Sequence, residues 1–163
     1  PYLLKFAEIV PSTYTSKKAV EETKSLLYSV NLHPIILKKE IDGFVFNRLQ
    51  GALLKEAYSL INDDIVSAND IDLLVTNGLG LRWAVLGPFE TIDLNTKGGI
   101  ENHGKIMIPF YKSIFSKSKN YNFETKSIKK VIIERRKLLP LENLSERISW
   151  RDKTISKLIN LLK

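Results

Sequence analysis

The sequence predicts a mainly α-helical protein whose first forty residues form a strand, a helix and a second strand. Two short apolar runs, at residues 2–10 and 35–37, flank a segment in which apolar residues recur at helical spacing. From residue 42 onward the apolar residues follow helical spacing, and Gly or Pro separates the segments. Two strands and a helix do not complete an α/β sheet. We therefore expect the end of an α/β domain followed by an all-helical domain.

The first half of the chain contains the clearest helical pattern. Thr15 or Ser16 is a suitable cap for a helix over residues 17–31, which His33 and Pro34 end. A longer helix over residues 42–62 has an apolar stripe that we expect to be buried. The stripe consists of Val45, Leu49, Ala52, Leu53, Ala57 and Leu60.

The second half is divided by glycine and proline. Ser67 and Asp70 form a capping box for a helix that Gly78 is expected to end. Residues 78–87, GLGLRWAVLG, are expected to form a tightly turned loop, and Pro88 begins a short helix through residue 95. After the Gly98-Gly99 break we expect helices at 100–117, 126–139 and 141–163, with a loop at 118–122.

Composition excludes several classes of protein. The chain has no Cys, so no disulfide or thiolate metal site is available, and a reducing, cytoplasmic location is expected. Its apolar runs are too short to span a membrane, and the N-terminal residues do not resemble a signal peptide. The formal net charge is +7, but the basic residues are mostly Lys and are spread along the chain. We therefore expect no nucleic-acid partner.

Three residues are candidates for a site. Glu8 lies in an apolar strand, so it either faces solvent at the strand end or lies beside a cation or an imidazole. Asn47 lies in the first turns of the 42–62 helix, where it can contact a substrate or hydrogen-bond a neighbouring loop. Arg82, between glycines and beside Trp83, can clamp a carboxylate or form a surface salt bridge.

The remaining polar residues have structural explanations. We interpret His33 as a turn residue, His103 as exposed, and Glu90 as a partner of the helix dipole at the start of the Pro88 helix. No metal site or Ser/His/Asp arrangement is readable. Gly78 and Gly80 fail as a dinucleotide fingerprint, because no third glycine follows at the required spacing and no strand precedes them.

Three strings carry a resemblance to a known family. PYLLKFAEIVP, EIDGFVFNRLQGALLKEA and GLGLRWAVLGPFETIDLN, in that order, resemble the second half of the 3-hydroxyacyl-CoA dehydrogenase family. The GLGLRW and GPFET combination looks most like the λ-crystallin/L-gulonate 3-dehydrogenase branch. The likeness runs from residue 1 to about residue 99, and WRD at residues 150–152 resembles the end of the same proteins.

The resemblance implies a fold, a cofactor and a role for two residues. In that family an N-terminal Rossmann-type domain binds NAD, and an all-helical C-terminal domain, like that of 6-phosphogluconate dehydrogenase, completes the cleft and forms a homodimer. Glu8 matches the acid that orients the catalytic His, and Asn47 matches the Asn of the G-F-x-x-N-R motif near the reacting oxygen. Of the H-P-x-N-P-P motif that contains this His, the chain retains only a proline, Pro1, and it lacks the Gly-rich NAD loop.

We therefore interpret residues 1–41 as the tail of the NAD-binding domain and residues 42–163 as the helical substrate and dimerisation domain. The parent protein is expected to be an NAD-dependent enzyme acting on a small hydroxy acid or an acyl-CoA, and the sequence leaves that choice open. By itself this chain is not expected to catalyse the reaction. The alternative is a non-catalytic helical dimerisation or interaction module derived from the same family.

Overall fold

The computed structural model describes residues 3–117 and 125–161, and in them the chain is mainly helical with one two-stranded sheet. This architecture confirms the expected fold class, a strand-helix-strand segment followed by helices. The retained proline of the catalytic motif, Pro1, and the loop expected at residues 118–122 lie outside the described residues.

The strand-helix-strand segment consists of β1 (Phe6–Ile9), α1 (Lys17–Ser29) and β2 (His33–Ile36). The two strands pair in parallel, with Phe6 opposite His33 and Glu8 opposite Ile35. Ser16, one of the two expected caps, begins α1: its side-chain hydroxyl accepts a hydrogen bond from the backbone N–H of Ala19. The prediction that His33 ends the helix was wrong, because Asn31 makes the turn with a φ of 58° and His33 already belongs to β2.

Helix α2 (Phe44–Asn62) agrees with the predicted helix within two residues. Its last turn is well covered, since Ile61 is 4% exposed. The predicted burial of the stripe was wrong for its first half, because Val45, Leu49 and Leu53 are 42%, 65% and 37% exposed. Helical spacing identifies the residues that favour burial, but it does not identify what covers them.

The expected pair of Ser67 and Asp70 caps the next helix, with the Ser67 hydroxyl also donating to the Asp70 carboxylate, but the loop expected after that helix is helical. Ser67 accepts the backbone N–H of Asp70 and begins α3 (Ala68–Leu74). The prediction that Gly78 ends this helix was wrong. A π-helical turn at Val75–Leu79 continues directly into α4 (Gly80–Trp83), so most of the expected loop is helix. Gly80 closes this turn by donating its N–H to the carbonyl oxygen of Val75.

The remaining helices follow the glycine and proline signals. Pro88 and Asn95 bound α5 (Pro88–Asn95) as predicted. Gly98 and Gly99 have φ values of 87° and 68°, and this left-handed pair separates α5 from α6 (Gly99–Lys117). Helix α7 (Thr125–Leu138), a 3-10 turn (Leu141–Asn143) and α8 (Leu144–Leu161) complete the described chain.

The described residues divide into two compact units, one formed by residues up to 54 with 145–161 and the other by residues 55–144. In the second unit, α7 is fixed to neighbouring elements by side-chain contacts. Glu134 accepts the backbone N–H of Ala68 at 2.7 Å, and Arg135 contacts Asp72 at 3.1 Å. Lys130 bonds to Asp64 at the end of α2.

Much of the apolar surface of the chain is exposed. Among the described residues, the buried hydrophobic side chains are Leu37, Ile61 and Ala68, whereas large apolar residues on α2, α6 and α8 are more than one third exposed. Each of these helices thus leaves large apolar side chains uncovered, and such side chains are suited to contact with further protein. None of the described helices is long and apolar enough to cross a membrane.

Candidate functional site at the start of helix α2

The carboxylate of Glu8 lies at the first turn of helix α2. Its Oε1 accepts the backbone N–H of Val45 at 2.8 Å and that of Phe46 at 3.3 Å. The first N–H groups of a helix have no partner inside the helix, and the helix dipole places partial positive charge there. The carboxylate of the half-buried Glu8 accepts these N–H groups and places negative charge at the positive end of the dipole. Glu8 therefore caps the N-terminus of α2 from a distant part of the chain.

The turn before α2 has an uncommon backbone. Gly43 and Phe44 have φ values of 76° and 51°, and the N–H of Phe44 donates to the carbonyl oxygen of Ile41 at 3.0 Å. A left-handed conformation costs little for glycine but is strained for a bulky residue such as Phe44. Such strain persists only where surrounding contacts maintain it. Glu8 supplies two of these contacts at the next two residues.

A ring contact fixes the same turn to the same strand. The ring centroids of Phe6 and Phe46 are 5.0 Å apart, with planes tilted by 47°. Phe6 and Glu8 are two residues apart on β1 and therefore point to the same side of the strand. On the helix side, Arg48 reaches back to the carbonyl oxygen of Asp42 through a long contact of 3.5 Å. The start of α2 is thus held by an ionic cap and by an aromatic pair.

Asn47 follows this turn directly. It is exposed, and its side chain makes no hydrogen bond with any residue in the described part of the chain. The predicted alternative, a hydrogen bond to a neighbouring loop, is therefore not seen there. The structure places Glu8 at the base of the helix turn that carries Asn47, so two of the three candidate residues belong to one cluster.

Neither predicted environment of Glu8 describes this arrangement completely. Glu8 does not face solvent freely, and its partners in the described residues are backbone amides instead of a side-chain cation. One sequence signal was available for this contact. Helix α2 has no acidic residue in its first turn, so its first N–H groups are open to an acceptor from elsewhere in the chain.

Arg82, the third candidate, lies in α4 directly after the π-helical turn. It is exposed and forms no salt bridge with the described residues, so the predicted surface ion pair is not present among them. A Cβ at Gly80 would lie 2.9 Å from the carbonyl oxygen of Val75, which requires glycine at this position. Gly78 lies in the π-helical turn and Gly80 begins α4 without a break, so the two glycines do not form a loop between a strand and a helix that could cradle a phosphate.

The other polar candidates have local roles. The interpretation of His33 as a turn residue was wrong, because His33 begins β2 and its N–H donates to the carbonyl oxygen of Lys5. His103, expected to be exposed, is half-buried and its ring centroid lies 6.2 Å from that of Tyr111. Glu90 is in the first turn of α5, where its negative charge interacts favourably with the positive end of the helix dipole. The described residues contain no group of His, Asp and Glu side chains able to hold a metal ion.

Comparison with protein families gives a match over more than half of the chain. Residues 43–138 match the family described as 3-hydroxyacyl-CoA dehydrogenase, C-terminal domain. The match begins at Gly43, the glycine of the turn that Glu8 caps, and ends at the last residue of α7.

Curated relatives include λ-crystallins and dehydrogenases. The chain is 36% identical over 163 residues to λ-crystallin of Oryctolagus cuniculus, covering 99% of this chain and 51% of the relative. It is 47% identical over 107 residues to a 3-hydroxyacyl-CoA dehydrogenase of Gibberella moniliformis, which covers 66% of this chain and 33% of the relative. It is 42% identical over 93 residues to an L-carnitine dehydrogenase of Oceanobacillus iheyensis, covering 57% and 30%. The chain therefore spans about half the length, or less, of these relatives.

Solved structures similar to the chain include the following two. One is the NAD⁺-dependent dismutase 5-formyl-3-hydroxy-2-methylpyridine 4-carboxylic acid 5-dehydrogenase, with 25% identity and a TM-score of 0.59, covering 90% of this chain and 53% of that chain. The other is the 3-hydroxyacyl-CoA dehydrogenase of Archaeoglobus fulgidus, with 22% identity and a TM-score of 0.57, covering 88% and 56%. The second likeness establishes the fold alone.

Proposed function

The chain belongs to the 3-hydroxyacyl-CoA dehydrogenase family, and from this premise we propose that it is the C-terminal part of an NAD-dependent dehydrogenase. The complete protein would oxidise the 3-hydroxyl group of a hydroxy acid or an acyl-CoA thioester to a ketone. One observation carries the proposal beyond family membership. The carboxylate of Glu8 holds the first turn of the helix that bears Asn47, so the two residues with an expected catalytic role form one cluster.

Asn47 is proposed to bind the reacting oxygen of the substrate. Its amide is exposed and uses none of its hydrogen-bonding groups on the described residues, so it is available to a ligand. Its position three residues into a capped helix limits how far its backbone can move. A donor held in this way stabilises charge on the oxygen as the C–H bond breaks.

Glu8 is proposed to orient the catalytic imidazole, which the family resemblance assigns to the other half of the protein. A carboxylate beside an imidazole fixes its orientation and stabilises the imidazolium that forms when the hydroxyl proton is taken. NAD, when bound, accepts the hydride that leaves the substrate carbon. No described residue of this chain is assigned to NAD, because Gly78 and Gly80 lie in helical backbone and do not form a loop after a strand.

Arg82 is proposed to bind the carboxylate of a free hydroxy acid. Its guanidinium forms no salt bridge with the described residues and lies beside a half-exposed Trp83. An unpaired guanidinium can bind a carboxylate through two parallel hydrogen bonds. A thioester lacks this carboxylate, so the contribution of Arg82 to affinity is the property that distinguishes the two substrate classes.

A homodimer is proposed for the complete protein. On α6, three large apolar side chains lie four residues apart, and Ile106, Phe110 and Ile114 are 59%, 55% and 41% exposed. Residues at this spacing lie on one side of a helix. A second copy of the chain offers the same stripe, so a twofold contact would cover both.

The proposed function is tested by activity of the full-length protein in which this chain is joined to an NAD-binding half. We expect NADH formation from at least one of a 3-hydroxyacyl-CoA, L-gulonate and L-carnitine. A folded full-length protein that forms NADH from none of the three would contradict the proposal and would favour the alternative of a non-catalytic interaction module.

A further inference from the structure

We infer that Glu8 is a positioning residue for Asn47, acting through the first turn of α2. This inference rests on the proposed function, which places Asn47 at the reacting oxygen, and adds a second task to the orientation of the imidazole. The contacts that carry it are between β1 and residues 45 and 46, immediately before Asn47.

Glu8 is attached to a fixed part of the fold. It is paired with Ile35 in the parallel sheet, and the flanking contact of Phe6 with Phe46 holds strand and helix together at the same end. A carboxylate on a paired strand has less freedom than one on a loop, so it can hold the amides of α2 in one place.

The first turn of α2 depends on that carboxylate. The left-handed backbone at Phe44 is strained, and α2 has no acidic side chain of its own in its first turn. Terminal turns are the first parts of a helix to open when their N–H groups lose an acceptor. Removal of the Glu8 carboxylate therefore releases residues 44–46 and, with them, the orientation of Asn47.

The two oxygens of Glu8 have separate tasks. Both amide contacts are made by Oε1, and Oε2 has no partner among the described residues. Oε2 is thus the oxygen that remains for the imidazole of the other half. A single side chain then links the base to the amide that binds the substrate oxygen, so the two groups keep a constant separation.

The first test uses the 163-residue chain without any catalysis. We expect the amide protons of Val45 and Phe46 to be protected from hydrogen exchange in the wild type and in Glu8→Gln, whose side-chain carbonyl still accepts hydrogen bonds. In Glu8→Ala both amides should lose their protection, while amides in the middle of α2 keep theirs. Equal protection of Val45 and Phe46 in all three forms would overturn the inference.

The second test measures how much Asn47 contributes in each background of the full-length protein. Asn47→Ala should lower kcat by about 10²-fold in the wild type and in Glu8→Gln, as loss of one donor to the reacting oxygen does. In Glu8→Ala, the additional Asn47→Ala substitution should lower kcat by less than about tenfold, because Asn47 is already misplaced. An equal factor in the three backgrounds would overturn the inference.

A matched control is available on the same helix. Gln50 is also an exposed amide in α2, three residues further on, and Gln50→Ala should leave kcat unchanged in every background. The two experiments separate the possible failures. Equal protection of Val45 and Phe46 in the wild type, Glu8→Gln and Glu8→Ala refutes the cap itself, whereas an inactive full-length wild type refutes the proposed function and leaves the exchange result standing.

Discussion

Glu134 on α7 accepts a hydrogen bond of 2.7 Å from the backbone N–H of Ala68, the first residue of α3. Ala68 is 6% exposed, so water cannot replace this acceptor easily. The contact joins residues 66 positions apart, and together with the Ser67 cap it satisfies two of the orphan N–H groups of α3. It therefore connects α7 to the capping box inside one unit of the fold.

The first prediction concerns this contact. Glu134→Ala should lower the free energy of unfolding by about 1–3 kcal/mol, because a buried N–H is left without a partner. Glu134→Gln should cost less, since its side-chain carbonyl can still accept the bond. Urea denaturation of the chain measures both. Glu142→Ala, an exposed acid without a hydrogen bond to the described residues, is the control, and an equal loss in Glu134→Ala and Glu142→Ala would contradict the prediction.

Where the local pattern determines the backbone, the sequence predicted it well. Helix α5 was predicted at both ends, because Pro88 suits the first position of a helix. Gly78 was misinterpreted, because a glycine favours a helix end only when it adopts a positive φ, and neither Gly78 nor Gly80 does. Gly80 is needed instead for close approach to the carbonyl of Val75. Composition alone does not separate these two uses of glycine.

The site was predicted in part. Asn47 lies where the helical pattern placed it, in the first turns of α2. The partners of Glu8 could not be predicted from local pattern, because Val45 and Phe46 lie 37 and 38 residues away along the chain. The family resemblance directed attention to an imidazole, whereas the contacts within this chain are to backbone amides. The catalytic roles of Glu8 and Asn47 stay predictions.

The second prediction concerns cofactor binding by the chain alone. We expect no heat of NAD binding in calorimetry, because neither β1 nor β2 of the described chain leads into a helix through a Gly-rich loop, the arrangement that cradles a pyrophosphate. The full-length protein with its NAD-binding half is the positive control. Micromolar NAD binding by the 163-residue chain would contradict the prediction.

The third prediction concerns self-association. The chain should form dimers through the exposed stripe of α6, and Phe110→Asp should shift it toward monomers because a charge cannot be buried there without a partner. Light scattering over a range of concentrations measures the average mass. Lys112→Ala, an exposed change on the same helix, should leave the dimer intact. A monomeric wild type at every concentration would refute the expected homodimer.

The fourth prediction separates the two substrate classes in the full-length protein. If Arg82 binds a carboxylate, Arg82→Ala should raise KM for a free hydroxy acid by about tenfold or more, the loss expected for one charge-assisted contact, and should hardly change KM for a 3-hydroxyacyl-CoA. Lys105→Ala removes another exposed cation and is the control. An equal rise in KM for both substrates would mean that Arg82 does not bind the substrate carboxylate.

The fifth prediction is that Asn47→Ala lowers turnover in the full-length protein while the fold stays intact. Asn47 is exposed and makes no hydrogen bond with the described residues, so truncation removes no contact that stabilises α2. Loss of one donor to an oxygen on which charge changes lowers kcat by about 10²-fold or more, with a smaller effect on KM.

The measurement pairs steady-state kinetics with thermal unfolding of the same variants. Gln50→Ala, which removes an exposed amide from the same helix, should keep both kcat and the unfolding temperature of the wild type. Because Asn47 and Gln50 are less than one helical turn apart, a general disturbance of α2 would affect both variants. The assignment fails if Asn47→Ala keeps wild-type turnover, or if its activity falls only in proportion to a loss of folded protein.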